Sequence, residues 1–157
     1  MSDELAIVEV ASDIDLEAAL AVRHEVFCVE QRIAKAEEFD GRDGDCRHYL
    51  ARWAGRAIGA ARTCPLDGEE TKIQRVAVLA PWRRRGIGRA LMERAVSDLA
   101  RTGVARIALT AQCHAESFYA DLGFVTEGGV FDEVGVPHVR MVLRTGQIPA
   151  IDAGNQE

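Results

Sequence analysis

Residues 83 to 92, RRRGIGRALM, constrain more tightly than any other stretch how this chain can fold. Three arginines run into two glycines one residue apart, and a helical pattern of apolar residues begins at Ile87. The preceding residues 71–79, TKIQRVAVL, are typical of a buried strand, and Pro81 ends that strand. Little chain remains for a loop before the helix that we predict over residues 86–101. The sequence therefore predicts a strand that turns sharply into a helix, with glycine at the helix start.

The start of that helix has the features of an anion-binding site. The first backbone N–H groups of a helix lack partners within it and carry partial positive charge. Each glycine there costs about 1 kcal/mol of helix stability, but it lets the backbone approach a ligand closely. Permanent positive charge is added by Arg83, Arg84, Arg85 and Arg89. We expect a diphosphate as the guest, and the alternative is an ordinary basic helix start on the surface.

Two other diphosphate motifs and one class of partner do not fit the chain. No string G-x-x-x-x-G-K-[ST] exists, so the turn is not a P-loop. The dinucleotide fingerprint G-x-G-x-x-G needs glycine where Leu91 stands. The net charge of -6 argues against nucleic acid as a partner, because phosphate backbones are bound by broad basic faces.

Hydrophobic periodicity predicts one α+β domain with a mixed β-sheet flanked by helices, in the order β-α-α-β-β-β-α-β-α-β-β. Strands are expected at 5–10, 48–53, 57–64, 71–79, 105–112, 124–133 and 137–144. Helices are expected at 12–27, 86–101 and 115–124, with a short helix and a loop within 29–46. We expect residues 1–144 to form the single domain and residues 145–157 to form a flexible tail.

Composition places the chain among globular proteins. Hydrophobic residues make up 48% of it, which is enough for a core. No apolar run has the length of a bilayer span and the first residues do not resemble a secretory signal, so we expect a cytoplasmic protein with no membrane partner. The cysteines Cys28, Cys46, Cys64 and Cys113 lack C-x-x-C spacing, so we expect reduced thiols and no metal site. The acidic residues of 37–45 predict a solvated loop, with attraction of a cationic substrate as the alternative.

The segment IQRVAVLAPWRRRGIGRALM, residues 73–92, resembles the acetyl-CoA-binding motif of the GNAT superfamily of N-acetyltransferases. That motif is Q/R-x-x-G-x-G/A after a hydrophobic strand, and it matches Arg83, Gly86 and Gly88 here. FYADLGF, residues 118–124, is similar to the second signature of the family, a short helix that carries a tyrosine and ends in G-F.

Two further segments resemble a narrower group. RHEVFCVEQ at 23–31 and GVPHVRM at 135–141 are similar to segments of the ElaA-type bacterial subgroup. The acceptor in that subgroup is poorly defined, so the resemblance implies a GNAT-like fold more than it implies a substrate.

The resemblance implies acetyl-CoA (coenzyme A) as the cofactor. The pantetheine arm would pair with the strand backbone, and the pyrophosphate would lie on the arginine–glycine turn. Gln112, where many family members have asparagine, would cap the following helix and touch the cofactor arm. The cofactor-binding residues implied in this way are Val76, Ala77, Val78, Arg83, Arg84, Arg85, Gly86, Ile87, Gly88, Arg89 and Gln112.

The resemblance also implies that an amine attacks the thioester directly, without a covalent enzyme intermediate. The backbone N–H of Val78 would stabilise the oxyanion. Tyr119 matches the usual general acid of the family, which protonates the departing thiolate. The alternative for Tyr119 is a core residue whose hydroxyl is bonded locally.

A base or a chain of waters must take the proton of the attacking amine. Glu30 is the first candidate, because its segment borders the acceptor cleft in this fold. His138 is the second candidate, because imidazole titrates near neutral pH, and His48 is the third. Structural roles compete with each of these: Glu30 could pair with Arg23 or Arg32, and His138 could lie in a turn.

We therefore predict an N-acetyltransferase that transfers an acetyl group from acetyl-CoA to a primary amine of a small molecule or a peptide. The alternative is a non-catalytic acyl-CoA-binding sensor or interaction module, which needs residues 83–88 but not Tyr119. The acceptor and the acyl chain length stay open. A homodimer also stays open, because family members often pair through their C-terminal strands.

Overall fold

The computed structural model describes residues 4–67 and 69–147 of the chain. Within them the helices and strands follow the predicted order. The strands are β1 (Leu5–Glu9), β2 (Arg47–Trp53), β3 (Arg56–Pro65), β4 (Glu70–Val78), β5 (Arg106–Gln112), β6 (Val125–Glu133) and β7 (Val136–Arg144). The helices are α1 (Asp13–Arg23), α2 (Lys35–Glu38), α3 (Ile87–Arg101) and α4 (Glu116–Asp121).

These strands form a mixed sheet in the order β1-β2-β3-β4-β5-β7-β6. β1 pairs antiparallel with β2, and β2 with β3. β4 pairs parallel with β5 over residues 70–72, and β7 pairs antiparallel with both β5 and β6. The predicted α+β class with a mixed sheet flanked by helices is confirmed.

The chain divides into two compact units by its internal contacts. Among the described residues, the first unit comprises 4–64 and 73–95, with β1–β3, α1, α2, most of β4 and the start of α3. Its core joins α1 and the π-helical turn after it to the strands, through Ala19, Val22, Val26, Leu50, Ala60 and Ala77. A Cβ on Gly59 would lie 3.2 Å from Leu91 Cδ1, so α3 packs against β3 where a side chain is missing.

The second unit comprises residues 65–67, 69–72 and 96–147 of the described chain. Its core is formed by buried residues of β5 and β7 and by Phe124, which precedes β6; among the strand residues are Ile107, Leu109, Val139 and Met141. Thr145–Gln147 forms a 3₁₀ turn, and the Thr145 hydroxyl donates to the Val104 carbonyl at 2.7 Å. The remaining residues of the predicted tail lie outside the described residues.

The first predicted helix ends earlier than expected. Ser12 caps α1, and its hydroxyl accepts the N–H of Asp15 at 3.2 Å. The α-helix stops at Arg23, and residues His24–Glu30 form a π-helical turn instead of continuing to residue 27. Apolar spacing does not distinguish these helix types here, because a segment of seven residues is too short for the longer period of a π-helix to be recognised.

The expectation of four reduced thiols is wrong. Cys46 and Cys64 form a disulfide with a Cα–Cα distance of 4.5 Å, while Cys28 and Cys113 are free. The antiparallel register sets Arg47 opposite Thr63, so the next pair outward is Cys46 opposite Cys64. The pairing follows from strand register, which the spacing of cysteines along the sequence does not contain.

No helix in residues 4–67 and 69–147 is long and apolar enough to cross a membrane.

Candidate active site

The predicted anion turn joins β4 to α3 in the first unit. β4 ends at Val78, a 3₁₀ turn covers Ala80–Trp82, and α3 starts at Ile87. Gly86 has φ +80°, which only glycine adopts without strain, and a Cβ there would meet no atom within 4 Å. Its carbonyl accepts the first hydrogen bond of α3, from Ala90 N at 3.0 Å. The turn therefore exposes the N-terminal backbone of α3 to open space, as a close-fitting anion requires.

Arg83 lies in this turn, but its side chain is engaged within the protein. Its Nη1 and Nη2 donate to the two carboxylate oxygens of Glu30 at 2.6 and 2.7 Å. Its Nε donates to the carbonyl of Val78 at 2.9 Å. The hydrogen bond from Arg83 lowers the pKa of Glu30, and the same bond raises the pKa of Arg83. Glu30 therefore pairs with Arg83, not with Arg23 or Arg32 as the sequence allowed.

The other arginines of the turn have different surroundings. Arg85 lies over the ring of Trp82 at 5.0 Å and over that of Trp53 at 6.0 Å, measured to the ring centroids. Arg89 pairs with Glu93 one turn along α3 at 3.1 Å. Arg84 is exposed and has φ +64°, a left-handed conformation that is uncommon outside glycine. Sequence reasoning missed both tryptophans, although aromatic residues beside arginines are a recognisable signal.

The strand that leads to the turn carries a second left-handed residue. Arg75 has φ +58° in the middle of β4, which marks a local irregularity of the strand. Beyond it, Ala77 is buried while Val76 and Val78 are partly exposed. Leu79 N donates to the Ile58 carbonyl of β3 at 2.9 Å, which ties the end of β4 to its neighbour. These are the strand residues predicted to meet the pantetheine arm.

A buried ion-pair network fills the region that the sequence predicted as a solvated acidic loop. Arg23 and Glu38 are almost fully buried, and Arg23 Nε donates to Glu38 Oε2 at 2.6 Å. Arg62 is also fully buried, and it donates to Asp40 Oδ2 and Asp43 Oδ1, each at 2.7 Å.

Asp43 also accepts from Arg23 Nη1 at 2.8 Å, and Arg75 pairs with Glu38 Oε1 at 2.7 Å. The sequence predicted either a solvated loop or a loop that attracts a cationic substrate, and both predictions are wrong for Glu38, Asp40 and Asp43. Their charges are neutralised by arginines that come from other elements.

These arginines also determine how two of the acids titrate. Hydrogen bonds from Arg62 hold the pKa of Asp40 well below its usual range. Burial acts to raise the pKa of Asp43, but hydrogen bonds from Arg23 and Arg62 outweigh it and the pKa is lowered. Both groups are therefore ionised at neutral pH and are poor proton acceptors.

His48 belongs to this network and not to a surface. Its Nε2 donates to the Asp43 carbonyl at 2.9 Å, so Nδ1 carries no proton in the neutral ring. Nδ1 is buried and has no hydrogen-bond partner among the described residues. An incoming substrate cannot reach this nitrogen, which argues against His48 as the base.

Tyr119 lies on α4 in the second unit, between two phenylalanines. Its ring meets the edge of Phe118 at a centroid distance of 4.9 Å and that of Phe124 at 6.3 Å. Burial raises the pKa of Tyr119 to about 12. The phenol is therefore protonated at neutral pH, as a proton donor must be.

Gln112 and His138 face each other across the β5–β7 pair of the same unit. Their Cα atoms are register partners, and Gln112 Oε1 bonds His114 Nε2 at 2.7 Å. The predicted cap does not form: the side chain of Gln112 makes no capping hydrogen bond to the 3₁₀ turn that follows it. His138 is buried in β7 and not in a turn, and its Nδ1 donates to the Val136 carbonyl at 2.7 Å. That bond leaves Nε2 as the basic atom of the neutral ring.

Among residues 4–67 and 69–147, no group of three or more His, Cys, Asp or Glu side chains is placed to hold a metal ion.

The central strand of this mixed sheet runs into an open, basic helix start, a geometry that favours the binding of anionic groups such as phosphate. The profile of the GNAT acetyltransferase domain matches residues 10–145 of this chain. The protein ElaA of Escherichia coli is 33% identical over 131 residues, which cover 80% of this chain and 85% of that protein. The chain belongs to the GNAT acetyltransferase family and is an acetyltransferase, as predicted.

Solved structures agree with this assignment. The crystal structure of Escherichia coli ElaA matches with a TM-score of 0.79 and 30% identity, covering 90% of this chain and 99% of that one. An acyl-CoA N-acyltransferase from Pseudomonas aeruginosa matches with a TM-score of 0.78 and 31% identity, covering 88% and 97%. A GNAT family acetyltransferase from Elizabethkingia anophelis, solved with acetyl-CoA bound, shares the fold with a TM-score of 0.69 at 17% identity over 91% and 99%.

Proposed function

We propose that this acetyltransferase uses acetyl-CoA and transfers its acetyl group to a primary amine by direct attack. The observation that carries the proposal is the turn after β4, where Gly86 has φ +80° and open space lies over the start of α3. Glycine backbone and helix N-terminal N–H groups fit a diphosphate such as that of coenzyme A. A structural relative with acetyl-CoA bound supports the same cofactor.

The residues implied by the family motif divide the work of holding that cofactor. The backbone of Val76, Ala77 and Val78 pairs with the pantetheine arm, and residues 83–89 bind the pyrophosphate. Because the Arg83 guanidinium is already engaged, we assign the pyrophosphate to the backbone of Gly86, Ile87 and Gly88, with exposed positive charge added by Arg84, Arg85 and Arg89. Gln112 stays a proposed contact to the cofactor arm.

Acetyl-CoA supplies an activated thioester carbonyl, and the protein stabilises the charge that develops during transfer. The N–H of Val78 donates to the carbonyl oxygen as negative charge builds there. Tyr119 donates to the departing sulfur. A thiol titrates near 8.5, whereas burial raises the pKa of Tyr119 to about 12. Full transfer of the phenolic proton is therefore unfavourable unless the phenolate regains a proton at once, and over the whole reaction the proton lost by the amine nitrogen balances the one gained by the sulfur.

His138 is better suited than Glu30 to receive the proton of the amine. The ion pair with Arg83 lowers the pKa of Glu30, which makes that carboxylate a weaker base. The hydrogen bond from Nδ1 of His138 to the Val136 carbonyl fixes the tautomer that has a free lone pair on Nε2. We therefore propose His138 as the base, with a water relay as the alternative.

The decisive experiment measures thiol release from acetyl-CoA across a panel of amines, with product masses checked. The panel contains small amines, amino sugars, polyamines, peptide N-termini and lysine side chains. Accelerated release with one class, together with product that has gained an acetyl group, supports the proposal. Binding of CoA without release across the panel favours the alternative, a non-catalytic acyl-CoA sensor or interaction module.

Tyr119→Phe separates these two functions. We expect kcat to fall roughly 10²-fold or more, because a positioned proton donor contributes about that much, while the Kd for CoA stays unchanged. The packing of the ring against Phe118 and Phe124 is retained in the variant, so its stability is preserved. The matched control is Tyr49→Phe at the other tyrosine of the chain, which lies buried in β2 and should leave kcat unchanged. An unaltered kcat in Tyr119→Phe contradicts the catalytic role.

The acceptor class, a homodimer and the cytoplasmic location belong to this proposal as predictions. Disulfides are rare in a reducing cytosol, so the Cys46–Cys64 bridge gives the location a direct test. Alkylation of thiols in freshly lysed cells should label all four cysteines if the protein is cytoplasmic and only Cys28 and Cys113 if it is kept oxidised.

A further inference from the structure

Glu30 and Arg83 form a contact that the sequence did not lead us to expect. The two residues are 53 positions apart, yet both guanidinium Nη atoms meet both carboxylate oxygens at 2.6 and 2.7 Å. Such a two-point contact fixes the orientation of the guanidinium as well as its position.

The third nitrogen of the same guanidinium holds the backbone of β4. Arg83 Nε donates to the Val78 carbonyl at 2.9 Å, and Val78 is the last residue of the strand. All three nitrogens of Arg83 are therefore used inside the protein, two by Glu30 and one by Val78. A diphosphate would have to break these contacts to gain the side chain.

The helical turn before Glu30 explains how the carboxylate arrives there. Residues His24–Glu30 form a π-helical turn, closed by the bond from Gln31 N to the Val26 carbonyl at 3.1 Å. Its first end is anchored, because Arg23 is buried and bonded to Glu38 and Asp43. The wider turn rotates the residues that follow relative to an α-helix, and single π turns are frequent at functional sites. The position of Glu30 is thus set by a π-helical turn whose first end is anchored.

We infer that Glu30 is a positioning residue: through Arg83 it holds the Val78 carbonyl and so fixes the strand end whose N–H stabilises the developing oxyanion. The inference rests on the proposed function, and it gives Glu30 a different task from that of a base. The Val78 carbonyl lies in one rigid peptide plane with the N–H of Leu79, which donates to the Ile58 carbonyl. Holding both sides of that plane limits the ψ angle of Val78 and so restrains the strand end that carries the Val78 N–H. A small misplacement there is enough to slow transfer strongly.

A merely structural ion pair predicts a different outcome. Arg83 and Glu30 are 38% and 39% exposed, and pairs at such exposure contribute little to stability. The chain holds a matched pair for comparison, Arg47 and Glu9, which are 37% and 42% exposed, 3.0 Å apart and outside the proposed site. Glu9→Gln is therefore the control for the loss of an exposed ion pair.

The test compares Glu30→Gln, Arg83→Gln, their double variant and Glu9→Gln. We expect each single variant at 30 or 83 to lower kcat roughly tenfold with little change in unfolding temperature, and the double variant to be no slower than the slower single one. The acidic limb of the pH profile should stay in Glu30→Gln. Glu9→Gln should match the wild type. The inference is overturned if the losses of the two single variants add in the double variant. It is also overturned if the decrease of kcat at acidic pH disappears only in Glu30→Gln, because Glu30 would then be the base.

A reversed pair separates a tie to the backbone from simple charge attraction. In the double variant Glu30→Arg with Arg83→Glu the charges still attract, but residue 83 can no longer donate to the Val78 carbonyl. We expect kcat to stay low in this variant. Full recovery of kcat would show that the hydrogen bond from residue 83 to the Val78 carbonyl is not needed. A Kd for CoA that rises tenfold in Arg83→Gln but not in Glu30→Gln also overturns the inference, because it makes Arg83 a phosphate ligand.

Amide hydrogen exchange measures, without any turnover, whether Glu30 and Arg83 restrain the end of β4. Amides of residues 73–79 should exchange faster in both Glu30→Gln and Arg83→Gln than in the wild type or Glu9→Gln. Unchanged exchange in both variants contradicts the tie. If the wild type binds no CoA and acetylates no amine, the proposed function fails, while exchange still reports whether Glu30 and Arg83 restrain the strand end.

Discussion

Gly59 is a single position that sets how closely α3 approaches the sheet in the first unit. A Cβ there would lie 3.2 Å from Ala51 Cβ, from the Ala77 carbonyl and from Leu91 Cδ1. Two of these neighbours belong to strands and cannot move far. We expect Gly59→Ala to lower the free energy of unfolding by about 1–3 kcal/mol, measured by urea denaturation, because overpacked cores lose that much. Gly44→Ala is the control, since a Cβ there meets no atom within 4 Å, and a stabilised Gly59→Ala contradicts the reasoning.

Individual site residues could be predicted from the sequence, but their partners could not. The motif around Arg83 and Gly86 identified the turn, because a helix start and glycine backbone are local features. The partner of Glu30 was expected among arginines near it in sequence, and it is Arg83, 53 positions away. Long-range pairing depends on which side chains the sheet brings together, which neither spacing nor composition contains.

The two ends of α3 provide a test of the anion turn. Gly86 precedes the helix with φ +80° and Gly103 follows it with φ +88°, and a Cβ at either would meet no atom within 4 Å. Alanine at either position should cost about 1–2 kcal/mol of stability, because a left-handed alanine is strained. Only Gly86→Ala should also weaken CoA binding, by tenfold or more in titration calorimetry, since its methyl group enters the space over the helix start. Equal CoA affinities in the two variants contradict an anion site at Gly86.

The disulfide provides a second test on a loop. It joins residues 18 positions apart and closes the hairpin of β2 and β3 at its open end. Closing a loop of that size contributes about 3 kcal/mol through the unfolded chain. Cys46→Ser should therefore lower the unfolding temperature under oxidising conditions and make it insensitive to reductant, while Cys113→Ser should behave as the wild type does. A wild-type protein whose stability does not respond to a dithiol reductant contradicts the bridge.

Elements were predicted well because their signals are periodic and local. Each predicted strand overlaps an observed one to within one or two residues at each end, since alternation and turn residues mark strand limits. The π-helical turn at residues 24–30 was missed because its apolar spacing is close to that of an α-helix. The disulfide was missed because it follows from the β2–β3 register, a property of two strands together.

The net charge of -6 does not show that several acidic side chains are paired with arginines and shielded from solvent. Glu38, Asp40 and Asp43 are matched by Arg23, Arg62 and Arg75 inside the first unit. Removing one member of such a network is costly because the buried partner keeps its charge. The free energy of unfolding should therefore decrease at acidic pH as these carboxylates become protonated.

Asp40→Asn tests that dependence. Hydrogen bonds from Arg62 hold the pKa of Asp40 below its ordinary value of 3.8, so its stabilising contribution is present above that value and is lost as the pH falls below it. At pH 7 we expect the variant to be less stable than the wild type by about 1–2 kcal/mol, because the Arg62 guanidinium then donates to a neutral amide oxygen and no longer to a carboxylate. The difference should shrink as the pH is lowered towards about 2, measured by urea denaturation at each pH. The exposed Asp45→Asn in the same loop is the control, and a difference that stays constant with pH contradicts the lowered pKa of Asp40.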